Sequence, residues 1–145
     1  MLKRILLLED EPGVRLRIED HLCDSGYDVI GFRRIDQANE YFSEHSDEID
    51  CMVVDLNMAD HWLGSYRHES DGGVLAGWVF MRRFVYPIKP NMPTVLYSGL
   101  IEDYEKEIRN EMPMARIECV SKGDDNSIKS LFDAIKRVTQ QGGIK

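Results

Sequence analysis

Long apolar runs are missing from this sequence. No stretch approaches the roughly 20 apolar residues that a membrane-spanning helix needs, and the N-terminus lacks a secretory-signal pattern. A basic excess is missing too. The formal net charge is −8 over 145 residues. A nucleic-acid-binding chain would carry a basic face or stripe, and the charge argues against anionic membrane surfaces too, so protein or cation partners fit better. Cysteine is scarce. Cys23, Cys51 and Cys119 form no C-x-x-C pair and no metal-ligand spacing, which fits reduced, mostly buried thiols in a cytoplasm. Internal repeats and low-complexity segments are absent as well. What remains is a chain of single-domain length, able to bury a real core.

What is present begins at Ile5, where "ILLLEDEPG" runs four apolar residues into three acids. An unbroken apolar run suits a strand buried on both faces, as in a parallel sheet. Like charges packed together repel, and desolvating them costs more. The acids therefore either face open water or await a cation. Pro12 opens a helix carrying Val14, Ile18 and Leu22 at helical spacing, which ends at Ser25-Gly26. "YDVIGF" is a second strand, and Ile35 to His45 a helix with Ala38 and Phe42 inward. "CMVVD" at 51–55 is a third strand that again ends on an acid. A helix starts near Gly77, "PTVLYSG" from Pro93 is a fourth strand, and Glu102 to Glu111 is helical. "RIECVSKG" from Arg116 is a fifth strand, and Ile128, Leu131, Phe132, Ile135 and Val138 mark an amphipathic last helix. The "QQGGIK" end reads as a frayed tail or the stub of a linker.

Strands alternating with helices predict βαβ units, right-handed crossovers and a doubly wound three-layer α/β sandwich. One segment breaks the rhythm: residues 56–76 lie between the third strand and the next helix, where α/β loops usually have about 2–6 residues. His61 and His68 share this segment with Asp60, Glu69 and Asp71, but their spacing matches no metal motif and reads as solvated loop. Trp62 and Tyr66 suggest either a partner contact or a loop folded back over a site.

Ligands of open α/β sheets bind beyond the carboxyl ends of the strands. Those ends carry Glu9-Asp10, Asp55, Ser98-Gly99 and Ser121-Lys122-Gly123. Carboxylates, a hydroxyl and an ammonium thus converge on one edge, which suits a hard divalent cation: Mg²⁺ takes one or two carboxylates together with waters and phosphate oxygens. Glu11 reads as structural, an acid at a helix start.

"ILLLEDEPGVRLRIEDHLCDSGYDV", "VVDLNM", "GWVFMRRF", "TVLYSG" and "VSKG", in that order, resemble the receiver domain of two-component response regulators from Leu2 to about Thr139, apart from the long loop. The resemblance implies a flavodoxin-like fold, with a five-stranded parallel sheet in order 2-1-3-4-5 and five helices. Residues 1–145 would form a single receiver domain with an inserted loop at about 59–76. It further implies that Asp55 is the phosphoacceptor and that Glu9, Asp10, Asp55 and the Asn57 backbone carbonyl hold Mg²⁺. Ser98 and Lys122 would bind phosphoryl oxygens. The implied donor is a histidine kinase or phosphotransfer protein, and the implied output is a conformational change read by an unknown protein target, with no nucleic acid or membrane contacted through this domain. If the chain is complete, it is a single-domain regulator.

The sequence departs from the family in several places. Glu9 replaces the commoner Asp, Ala59 and Gly123 stand where Pro is frequent, and Cys119 occupies the position of a switch Tyr or Phe. Tyr97 is a poor substitute, because strand alternation turns it to the opposite face. The long loop, with Gly64, Gly72 and Gly73 as hinges, is expected to respond to phosphorylation in place of the missing aromatic. Two other functions compete with the phosphorylatable receiver. One is a phosphate-independent, receiver-like adaptor. The other is a Mg²⁺-dependent aspartate-nucleophile phosphohydrolase, which typically needs a second Asp where Asn57 stands and a nucleophile on the first strand. A flavin-binding module would want a phosphate loop after the first strand, where "EDEPG" would repel phosphate.

Overall fold

Ile5 and Leu7 point to one side of the first strand, Leu6 and Leu8 to the other, and all four are at most 1% exposed. A strand of this kind needs cover on both faces, and the computed structural model, which describes residues 2–123 and 126–140, provides it. Strands β1 (Arg4–Leu8), β2 (Asp28–Phe32), β3 (Cys51–Val54), β4 (Thr94–Ser98) and β5 (Ile117–Ser121) form one sheet in the order β2-β1-β3-β4-β5. Every neighbouring pair is parallel. The α-helices are α1 (Pro12–Asp24), α2 (Ile35–His45), α3 (Ala76–Phe80), α4 (Ile101–Glu111) and α5 (Ser127–Gln140). A short 3₁₀ turn, Ser46–Glu48, follows α2.

Two hydrophobic clusters lie on opposite faces of the sheet. Ile5, Leu7 and Val53 meet Ile18 and Leu22 of α1 and Leu131 and Ile135 of α5. Leu6, Leu8 and Val54 meet Phe42 of α2, Trp78 of α3 and Ile108 of α4. The sheet fold is therefore the expected three-layer sandwich. Glu11 caps α1 as its position suggested: its carboxylate accepts from the N–H groups of Gly13 at 3.1 Å and Val14 at 2.7 Å, which holds its pKa low. Of the "QQGGIK" tail, residues 141–145 lie outside the described residues.

The 59–76 segment, expected as a long inserted loop, is structured and packs on the body of the protein. His61–Ser70 forms 3₁₀-type turns broken at Gly64, where φ is 61°. Leu63 and Ser70 are buried, and Trp62, Tyr66 and Val74 pack against the α2–α3–α4 cluster. Arg34 lies 3.8 Å over the Trp62 ring and Arg83 4.9 Å over that of Tyr66. Tyr66 also meets Phe84 edge-on. The aromatics thus bind the segment to the body of the protein. They could not be placed from sequence because their partners, Arg34 and Arg83, lie outside the segment. Gly64, Gly72 and Gly73 all have positive φ, as does Asp71 at 54°. Beyond the insert, α3 passes directly into a π-helical turn, Met81–Val85. Among the described residues, no helix is long and apolar enough to cross a membrane.

Candidate functional site

Sheet register brings the strand ends to one level. The Glu9 N–H donates to the Phe32 carbonyl at 2.9 Å, the Asp55 N–H to Leu8 at 3.0 Å, and the Lys122 N–H to Ser98 at 3.2 Å. The backbone ladder therefore sets Glu9, Asp55, Ser98 and Lys122 side by side before any side chain interacts. Glu9 is 1% exposed, Asp55 7% and Ser98 1%, so these polar groups are buried and need partners. Asp10 and Asn57 are exposed.

Lys122 is the cation that the acids met. Its Nζ donates to Glu9 Oε1 at 2.5 Å and to Asp55 Oδ2 at 3.1 Å, and it lies 5.6 Å from the Tyr97 ring centroid. Burial alone would lower the Lys122 pKa, but the Asp55 and Glu9 carboxylates outweigh it and raise the value. Burial pushes the Glu9 carboxyl up to about 7, with the Asp55 charge adding to the rise and Lys122 opposing it. Asp10 is raised by the same two causes, burial and then Asp55, against the pull of the backbone N–H groups of Asp10 and Ala59. Ser98 Oγ accepts the Leu100 N–H at 3.2 Å, which leaves its own proton free to donate.

One oxygen from each of Glu9, Asp10 and Asp55 lies within 4.8 Å of the others. Oxygens around a single octahedral Mg²⁺ sit about 3–4 Å apart, so small movements would bring this all-oxygen set onto the ion. The donor chemistry, oxygen only with neither imidazole nor thiolate, also suits a hard cation.

Two features of the site were missed in the sequence. Gly77 lies against the phosphoacceptor candidate: a β-carbon there would come within 1.8 Å of the Asp55 carbonyl oxygen. Its signal was the small residue opening "GWVFMRRF". Arg15 of α1 donates from Nη1 to the Glu9 carbonyl at 3.0 Å, and no motif flagged it. Tyr97 does face away from Cys119. It belongs to the α1–α5 cluster and donates to Ser127 Oγ at 3.0 Å, whereas Cys119 packs on the other cluster. His61 packs with its ring tilted against Trp62, and His68 is exposed beside Glu69.

No protein-family model and no curated protein matches the sequence. Solved structures do match. A response regulator receiver domain protein from Clostridium thermocellum superposes with a TM-score of 0.75 at 20% identity, covering 98% of each chain. The non-phosphorylated HemR receiver domain from Leptospira biflexa gives 0.72 at 20% identity and 94% of each chain. A response regulator receiver protein from Sinorhizobium medicae WSM419 gives 0.70 at 24% identity, covering 96% of this chain and 95% of that one. The chain thus has the fold of response-regulator receiver domains, over nearly its whole length.

Proposed function

We propose that this chain is a receiver domain of a two-component response regulator that accepts a phosphoryl group on Asp55. The observation that carries the reading is the Lys122 ammonium held between Glu9 and Asp55, with the Ser98 hydroxyl and the Asp10 carboxylate at the same edge. In the proposed step, an Asp55 oxygen attacks phosphorus in line and forms a P–O bond, giving 4-aspartyl phosphate. The P–N bond of a donor phosphohistidine breaks, and its electron pair stays on the imidazole. Such transfers depend on positioning and on neutralising charge spread over the equatorial oxygens. Lys122 serves as a point charge for one of these oxygens, and Ser98 donates its free proton to another. Mg²⁺, held by Glu9, Asp10, Asp55 and the Asn57 carbonyl, would supply further positive charge there. The donor would be a histidine kinase or phosphotransfer protein in the cytoplasm, and the output a protein contact. The domain assists its own phosphorylation and dephosphorylation and has no separate substrate to turn over.

Acetyl phosphate with Mg²⁺ tests the reading. Intact-protein mass spectrometry should show the gain of one phosphoryl group in the wild type and none in Asp55→Asn, whose circular dichroism stays unchanged. Uptake at the wild-type rate by the variant would overturn the assignment.

A further inference from the structure

The insert is fastened at its root, along its aromatic side by Trp62 and Tyr66, and at Glu69, and only the root lies at the site. At its root, the Met58 N–H donates to the Gly73 carbonyl at 3.0 Å and the Gly77 N–H to the Leu56 carbonyl at 2.9 Å. Gly77 also presses on the Asp55 carbonyl. A shift of the backbone at 55–58 therefore passes by contact to 73–77. Within the insert, Asp60 accepts Arg67 Nε at 3.0 Å and Ser70 Oγ at 3.1 Å, and Ser70 Oγ accepts the Gly73 N–H at 3.1 Å. With Leu63 buried, this network ties the segment's two halves together.

The far fastening is Glu69. Its carboxylate accepts Arg82 Nη2 at 2.8 Å and takes both Arg83 Nε and Nη2, at 3.0 and 2.6 Å. Arg82 then reaches out of the insert's neighbourhood: its Nη1 lies 3.3 Å from Glu111, the last residue of α4. The other Glu111 oxygen accepts Trp78 Nε1 at 3.1 Å. Arg82 Nε is buried without a partner, a costly arrangement, so the two carboxylates at its tip hold this side chain in place. Arg82 also rides on the π-helical turn Met81–Val85, a geometry that is rare and frequent at functional sites.

We propose that the insert carries the change of state at Asp55 to the C-terminal end of α4 through the Glu69–Arg82–Glu111 link. The inference rests on the receiver reading above and supplies the readout that Cys119 is too small to make. When new ligands gather at Asp55, the 55–58 backbone shifts, the insert follows through Gly73 and Gly77, and Glu69 changes its hold on Arg82. Arg82 then has two arrangements, shared between Glu69 and Glu111 or drawn to one of them, and both sites bias that choice.

The test is amide NMR of the full chain before and after addition of Mg²⁺ with beryllofluoride. In the wild type, the amides of Asp10 and Leu56 and those of Arg109 to Met112 should all shift. In Glu69→Gln, the shifts at 109–112 should fall at least threefold while those at Asp10 and Leu56 stay full. Glu111→Gln, at the exposed end of the link, should cause the same loss, and it carries the test should Glu69→Gln fail to fold. Wild-type silence at 109–112 with a responsive Asp10 and Leu56 would overturn the inference and leave the receiver reading standing. Undiminished 109–112 shifts in the variants would do the same. Silence at Asp10 and Leu56 would overturn both.

Discussion

Glu9 has one methylene more than an aspartate would, and that length lets it reach Lys122 at 2.5 Å from a site 113 residues away in sequence. The reach brings a buried carboxylate next to Asp55, and the cost shows in its titration. Folding raises the Glu9 pKa from 4.5 to about 7, so the folded state binds this proton more tightly than the unfolded state. Stability then falls as pH rises between 4.5 and 7, the window set by those two values. Glu9's share of the fall is on the order of 3 kcal/mol. Urea denaturation of metal-free protein across this window should show the decline, and Glu9→Gln should flatten it. An equal slope in the variant would mean that another group is responsible. The residue types at this site were legible in the sequence, because each stands where a buried apolar run stops. The Glu9–Lys122 contact was not, since nothing local in either segment marks its partner.

At the scale of elements, legibility follows the source of stability. β1 and β3 announce themselves because their own residues are continuously apolar, and α5 does so because Leu131, Ile135 and Val138 recur on one face. The insert has neither pattern. Its turns are held by Arg34, Arg82 and Arg83, which come from other elements, so its sequence reads as loop. Its integration into the core is testable. Leu63 is 2% exposed, and Leu63→Ala should destabilise the protein by about 2–3 kcal/mol in urea titration, whereas a residue in an open loop would cost almost nothing. Gly77→Ala is expected to be as severe. Its added methyl meets backbone at 1.8 Å, which no rotamer change relieves. A loss of about 3 kcal/mol or more, together with slower phosphate uptake, is the expected result.

For the whole molecule, the dominant fact is that carboxylates are gathered at one edge of an already acidic chain with a net charge of −8. A cation that binds the folded state alone stabilises it by RT ln(1 + [L]/Kd), about 2.7 kcal/mol at a hundredfold excess over Kd. Mg²⁺ should therefore raise the melting temperature in a concentration-dependent way. Asp10→Ala should abolish most of that rise while leaving the metal-free melt nearly unchanged or slightly higher. A full Mg²⁺ response in this variant would remove Asp10 from the ligand set.

The adjacency of Met58 and Gly73, 3.0 Å apart from nitrogen to oxygen, has a consequence for how chains of this kind are found. The insert leaves the backbone and returns to it at nearly one point, so its length is uncoupled from the geometry of the sheet. The contact between Asp55 and Gly77 therefore does not depend on how many residues separate them. A search pattern written as a fixed spacing between aspartate and glycine passes over such a chain. A pattern written as their contact in space recovers it.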